Sequence, residues 1–254
     1  MQDKYVGDIG DFGKYALLKF LAKRDVPLGI VWYLTNAPGN DGDGGFIKYL
    51  SSPNAAAGLG KCDAQLLSAL RAIVDSHRRR VRRVRELRIF AGGTLFYEER
   101  LDFASVPRPL RPEKRTEWCQ KALGKVRNAS LVFLDPDNGL SLKEEKKYQK
   151  SGPKYVFLDE LREYVKWGKS LILYCHQDRR KGGLREQVRE GIELLSKVSP
   201  LRKAWAFTFH RQSVRIFFVL PSTRRMAKLL AQRSKDFAAG CFGSGGHFCL
   251  KGLP

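Results

Sequence analysis

No stretch of this chain comes near the roughly 18 consecutive apolar residues that a membrane-crossing helix requires. The opening Met1-Gln2-Asp3-Lys4 has no apolar core of the signal-peptide kind. These two absences lead to the expectation of a cytoplasmic protein with no membrane partner. Cysteine is scarce: five residues (Cys62, Cys119, Cys175, Cys241, Cys249), an odd number without a C-x-x-C pair. Neither a disulfide framework nor a structural zinc site is expected from that pattern, and the thiols read as reduced core filling. Acidic residues are also in short supply, with 26 Asp and Glu against 47 Lys and Arg, a formal net charge of +21. Such an excess points to polyanionic partners, nucleic acid first and an anionic membrane surface second, with a generally basic surface as the plain alternative. There is no internal repeat and no low-complexity segment beyond one arginine run.

A hydrophobic fraction of 43% excludes wholesale disorder. Asp11 can cap a helix reaching about Arg24, with Tyr15, Leu18, Leu21 and Ala22 on its apolar face. Leu28 to Leu34 is a nearly continuous apolar run, as in a strand buried on both faces. From Asp63 a long helical pattern runs through Leu66, Leu70, Ile73, Val74, Val81 and Val84. Weak strand signals lie at Leu87–Phe90 and Leu95–Glu98, and a helix is expected from Glu113 to Val126. Leu131–Leu134 and Ser170–Tyr174 read as buried strands, with helices over Leu158–Val165, Glu186–Leu195 and Thr223–Phe237. Lys203–Phe209 and Val214–Leu220 form a hairpin expected at one edge of the sheet. The alternation predicts one α/β domain over residues 1–254, a doubly wound, mostly parallel sheet with a C-terminal antiparallel hairpin. A basic helical insertion covers residues 62–90.

Ligands of open α/β sheets sit beyond the carboxyl ends of the strands, so the residues there carry the functional reading. After the first strand comes a loop rich in glycine and aspartate, Asn36 to Gly45. Its glycines let backbone approach a ligand, and Asp41 or Asp43 can take a ribose hydroxyl or a metal ion. It matches neither the G-x-G-x-x-G nor the P-loop pattern, and a plain surface loop is the other reading. After Leu131–Leu134 comes Asp135-Pro136-Asp137-Asn138-Gly139, in which proline fixes a carboxylate at the strand end, although Pro-Asp-Asn-Gly is also a good turn. After Ser170–Tyr174 come His176 and the cations Arg179, Arg180 and Lys181, which suit phosphates. At the front of the chain, Gly7-Asp8-Ile9-Gly10-Asp11-Phe12-Gly13-Lys14-Tyr15 places Lys14 in the first turn of a helix, where the macrodipole does not favour a cation. An anionic partner is suggested, either a ligand carboxylate or Asp135 across the sheet, with an ordinary solvated lysine as the other reading. In the arginine run from His77 to Arg88, Val81, Val84 and Leu87 face inward while Arg78, Arg82 and Arg85 line one exposed stripe suited to a phosphate backbone.

Together these motifs resemble the large-subunit ribosomal RNA adenine-N6 methyltransferase family. That family opens with Gly-Asn-His-Ala-Asp-x-x-Lys-His, and Gly7, Asp11 and Lys14 are identical in frame. Leu34-Thr35-Asn36-Ala37-Pro38-Gly39 follows part of its cofactor loop, and Asp135-Pro136-Asp137-Asn138 stands where it has Asp-Pro-Pro-Tyr. Gly243-Ser244-Gly245-Gly246-His247 is similar to its closing Gly-x-Gly-His. The front motif and Asp-Pro-Asp-Asn-Gly are also similar to uncharacterised proteins of phages and mobile elements. The resemblance implies a Rossmann-like methyltransferase fold that uses S-adenosylmethionine on an exocyclic base amine of DNA or RNA and needs no metal. Lys14, Tyr15, Asn36, Gly39 and Asp41 would hold the cofactor. Asp135 and the Pro136 carbonyl would orient the amine, while Asn138 replaces the aromatic residue that stacks on a flipped base. Two other readings stand beside it: a Mg²⁺-dependent phosphodiesterase using the aspartates, and a nucleic-acid-binding protein with an inactive methyltransferase fold.

Overall fold

The computed structural model describes residues 1–36, 44–179 and 181–253. Its strands are β1 (Leu28–Trp32), β2 (Leu95–Tyr97), β3 (Leu131–Asp135), β4 (Gly139–Leu140), β5 (Tyr155–Val156), β6 (Ser170–His176), β7 (Trp205–Arg211), β8 (Ser213–Leu220) and β9 (Phe248–Lys251). The helices are α1 (Ile9–Ala22), α2 (Pro53–Cys62), α3 (Ala64–Asp75), α4 (Arg82–Glu86), α5 (Arg111–Lys125), α6 (Leu158–Lys166), α7 (Gly183–Val198), α8 (Arg224–Ala239) and α9 (Cys241–Ser244). Seven strands form one sheet in the order β2-β1-β3-β6-β8-β7-β9, and β4 pairs with β5 in a small parallel ladder. β2, β1, β3 and β6 are parallel, whereas β8 runs antiparallel to both of its neighbours and β9 antiparallel to β7. The sheet is thus mostly parallel at one side and antiparallel at the other. The hairpin expected at the edge is not the edge. β8 is interior, and β9 covers β7.

Alternation along the strands divides the apolar side chains between two cores. Ile30, Trp32, Leu131, Phe133 and Ile172 face one side with α1, α3 and α8. Val31, Val132, Leu134, Leu171 and Leu173 face the other with α5, α6 and α7. Strands that bury both faces need apolar residues at every position, which is why Leu28–Trp32 and Leu131–Leu134 read as continuous runs.

Several local expectations are corrected. The cap of α1 is Asp8, three residues earlier than Asp11, with its carboxylate accepting from the Gly10 N–H at 2.9 Å. The long helix from Asp63 stops at Asp75, and His77 has a φ of 53°. After that break only the short α4 resumes, so Arg78 does not share a helix with Arg82 and Arg85. Val81 and Val84 do turn inward as expected. Leu87–Phe90 is not a strand. The cysteines depart furthest from expectation. Cys62 and Cys241 form a disulfide that ties α2 to α9 across 179 residues, while Cys119, Cys175 and Cys249 remain thiols. The spacing rule missed the bond because it recognises clustered frameworks, whereas this pair joins residues 179 apart in the chain. Among the described residues no helix is long and apolar enough to cross a membrane.

Candidate functional site

The carboxyl ends of β1, β3 and β6 lie side by side, with Trp32 in register with Asp135. The amino-terminal half of α1 lies over them. Its motif glycines explain how it comes so close. A Cβ on Gly13 would stand 2.8 Å from the Phe209 ring of β7, and one on Gly10 would collide with the Arg215 guanidinium of β8. The close seat lets Lys14 of α1 reach the end of β3.

Lys14 lies between two buried aspartates, its Nζ donating to Asp11 Oδ1 at 2.8 Å and to Asp135 Oδ2 at 2.7 Å. The Tyr15 hydroxyl donates to the other oxygen of Asp11 at 3.0 Å. Asp8 accepts from Arg215 at 3.0 Å. The rings of Trp32 and Tyr174 stand 5.7 and 5.1 Å from the Lys14 ammonium. All five charged groups are at most 6% exposed. Burial works against the Lys14 charge, but Asp11 and Asp135 outweigh it and hold the ammonium's pKa above the ordinary lysine value. Burial raises the carboxyls of Asp8 and Asp135 despite Arg215 and Lys14 beside them. It also raises the phenol of Tyr15, with Asp11 adding to the effect. The anionic partner that the sequence suggested for Lys14 is therefore Asp135, together with Asp11, within the protein.

Residues 1–3 run across the same strand ends. The Met1 amine donates to the Tyr33 carbonyl at 2.8 Å and pairs with the Asp137 carboxylate. Gln2 Nε2 donates to Asp137 Oδ2 at 3.3 Å, and Asp3 pairs with Arg100 at 2.7 Å. Arg100 also donates to the Asn36 side chain at 2.8 Å.

On the opposite face, a cleft of about 510 Å³ opens beside the ends of β3 and β6. Cys175 and Phe218 form its floor, Gly191 and Leu194 of α7 one wall, and Asn138, Leu140 and Tyr155 the other. Gly139 is required at this turn. Its φ is 101°, and any Cβ there would meet Cys175. Gln187 of α7 pins the β6 end, donating to the His176 carbonyl at 2.9 Å and accepting from the Asp178 N–H at 3.0 Å. A larger cleft, about 690 Å³, lies at the other end of the sheet, between Val26–Leu28 and Leu87–Thr94.

The expected site residues therefore separate. Lys14, Tyr15, Asp135 and Pro136 are buried at the strand ends. The Asp135 carboxylate turns to Lys14 rather than onto an open cleft. Asn138 is exposed on the rim of the 510 Å³ cleft, and Asn36 is exposed next to Arg100. Gly39, Asp41, Asp43 and Arg180 lie outside the described residues. Arg179 and Lys181 are exposed between β6 and α7. Arg78, Arg82 and Arg85 are exposed as well, the last two lying 3.6 and 3.9 Å from Glu86 and Glu98. Arg79 turns inward, donating to the carbonyls of Val6 at 2.7 Å and Gly44 at 2.8 Å. Arg78, Arg80, Arg82 and Arg83 line a hollow of about 220 Å³ with Glu86 their sole acidic neighbour in it.

Arg215 and Tyr155 escaped the sequence reading. Arg215 stands 207 residues from Asp8, and Tyr155 reaches the Asn138 turn through the short β4–β5 ladder; strand pairing brings each there. No protein-family model matches this chain, and no curated protein is similar enough to it to count as a match.

Proposed function

We propose that this chain is a nucleic-acid-directed protein of the S-adenosylmethionine-dependent methyltransferase type. One observation carries the reading. The sheet places the antiparallel β8 between β6 and β7, at the end of a run of parallel strands. That arrangement resembles the sheet of such methyltransferases, and the Asp-Pro-Asp-Asn segment falls at the end of β3, beside the first strand, where the resemblance requires it. The charge of +21 and the arginine hollow support a polyanionic substrate.

Lys14 and Tyr15, as they stand, do not fit direct contact with a cofactor, because their polar atoms are taken by Asp11 and Asp135. Among the described residues, Asn36 is the expected contact that stays exposed. The cofactor, when bound, would supply an electrophilic methyl group; Met1 and Gln2 occupy the ends of β1 and β3 through Tyr33 and Asp137. What this chain's own residues contribute is position. Lys14 holds the Asp135 carboxylate in one direction, and for Asp135 to align an acceptor amine that carboxylate must exchange the ammonium for the amine. Pro136 restricts the backbone at the same point, and Asn138 stands on the rim that an acceptor would enter. Alignment of this kind can supply much of the acceleration of a group transfer.

The phosphodiesterase reading has less support. Among the described residues no three His, Cys, Asp or Glu side chains come together as a metal site, and Asp8, Asp11 and Asp135 are each already paired with a cation.

Calorimetry separates the readings. S-adenosylmethionine is expected to bind, and Mg²⁺ is not. Mg²⁺ binding without cofactor binding would overturn the proposal in favour of the phosphodiesterase. Binding of nucleic acid alone would leave an inactive relative.

A further inference from the structure

The 510 Å³ cleft has the size of a small-molecule site, about 300–1,000 Å³, and its walls differ in chemistry. Cys175 and Phe218 make an apolar floor beside Leu194 of the α7 wall, while Tyr155 presents a half-buried ring on the other wall. Lys143 is exposed on the rim, and Lys146 reaches over the Tyr155 ring with its Nζ 5.2 Å from the centroid. Asn138 offers an exposed amide beside them. Asp178 and Glu190 line the cleft as well, and neither stands on the β4–β5 side that carries the two lysines. On that side, an apolar floor with an aromatic wall, an amide and two cations at the mouth matches an unstacked base with its phosphate.

The aromatic wall is held rigidly. β5 pairs with β4 so that Tyr155 stands opposite Gly139, and the Asn138 N–H donates to the Lys154 carbonyl at 2.9 Å. Behind this ladder Arg115, 1% exposed, donates to the carbonyls of Tyr155 at 2.8 Å and Gly152 at 3.0 Å. Glu160 fixes Arg115 in turn. A preset ring loses little conformational freedom when a base stacks on it.

We propose that this cleft receives a single unstacked nucleotide of DNA or RNA, its base stacked on Tyr155 and its phosphate held by Lys143 and Lys146. Stacking exchanges the Lys146 ammonium over the ring for the base and releases that cation to the phosphate. Tyr155 then supplies from β5 the aromatic surface that Asn138 lacks. The assignment rests on the nucleic-acid reading above but not on any cofactor.

The test is titration of the full chain, without cofactor, with fluorescent single-stranded oligonucleotides, RNA in one arm and DNA in the other. Each is made intact and with one central abasic residue. Tyr155→Ala is expected to weaken binding of the intact strand about tenfold or more, and Tyr155→Phe to stay within about twofold of the parent. The abasic strand should bind the parent as weakly as the intact strand binds Tyr155→Ala, with no further loss when the two changes are combined. Replacing Lys143 and Lys146 with Gln should lower the salt slope by about 0.7, because one phosphate of a single strand loses its contacts. The abasic arm probes the ring without altering the protein. Equal binding by parent and Tyr155→Ala, or independent losses from the two changes, would overturn the cleft assignment while leaving nucleic-acid binding intact. A parent that binds neither polymer would overturn both.

Discussion

Between residues 8 and 14 the chain buries three charged side chains, Asp8, Asp11 and Lys14; between residues 78 and 85 it leaves Arg78, Arg82 and Arg85 in water. The two segments are nearly adjacent in space, since Arg79 donates to the carbonyl of Val6 just before α1. Yet their charges serve opposite ends. In the first segment every charge has a partner of opposite sign: Lys14 for Asp11, Asp135 of β3 for Lys14, and Arg215 of β8 for Asp8. Removing such ions from water is costly, and the pairing holds the network together because each partner's loss strands another ion. In the second segment four guanidiniums share a hollow with one carboxylate, so attraction within the protein cannot satisfy them. A dense run of charge in sequence can therefore mean an internal clamp or an external handle. Burial tells the two apart.

The largest effect should come from breaking the clamp. Lys14→Met leaves Asp11 and Asp135 buried without their cation and should cost about 3–5 kcal/mol of stability. Urea unfolding measures it. Adding Asp135→Asn removes one of the stranded charges, so the double variant should be more stable than the sum of the two single losses by more than about 1 kcal/mol. A cost for Lys14→Met near zero would mean that the lysine faces solvent, and the contrast between the two segments would disappear.

A smaller effect separates the segments by pH. Tyr15, Tyr33, Tyr49 and Tyr164 have phenols raised well above 10 by burial, and Tyr174 is pushed up to about 12. Above pH 10 the unfolded chain gives up these protons while the folded chain keeps them, so stability falls as pH rises. Lys14 has the same sign. The stability from its pairing is complete below 10.5 and is lost as pH climbs through its raised folded value. Each such proton changes stability by about 1.4 kcal/mol per pH unit. Alkaline unfolding of Lys14→Met should therefore be shallower than the parent's by up to one proton. An arginine variant from residues 78–85 should follow the parent's curve.

Legibility in the sequence followed local chemistry. β1, β3, β6, α6 and α8 announce themselves because doubly buried strands and amphipathic helices have repeating patterns. Lys14 was legible because it sits badly with the helix dipole, and that tension pointed to Asp135 as one of two possible partners. The break after Asp75 was not legible. Val81 and Val84 continue the period of α3 by coincidence, since they are buried from a separate short helix. Arg215 meets Asp8 across 207 residues, and the Cys62–Cys241 bond spans 179. Contacts that distant follow from strand order, on which local pattern is silent. The same is true of Tyr155, whose place beside Asn138 depends on the short β4–β5 ladder.

The smallest effect on stability should come from the handle. Replacing Arg78, Arg82 and Arg85 with Gln removes no buried side chain, and the pairs lost, Arg82 with Glu86 and Arg85 with the half-buried Glu98, are long and exposed on the arginine side. Such pairs contribute at most a few tenths of a kcal/mol each, so urea midpoints should move by no more than about 0.5 kcal/mol in energy. Binding should respond quite differently. Each arginine that meets a phosphate releases counterions, and the log–log dependence of affinity on salt should flatten by up to about three. The three residues are not equivalent in this respect. Arg82 and Arg85 already have a carboxylate nearby, whereas Arg78 makes no ion pair among the described residues and lines the hollow directly. Arg78→Gln alone should thus account for a larger share of the change than either of the others. An unchanged slope in the triple variant, with stability also unchanged, would make this segment an ordinary solvated surface and leave the clamp as the only charge cluster of the pair with a role.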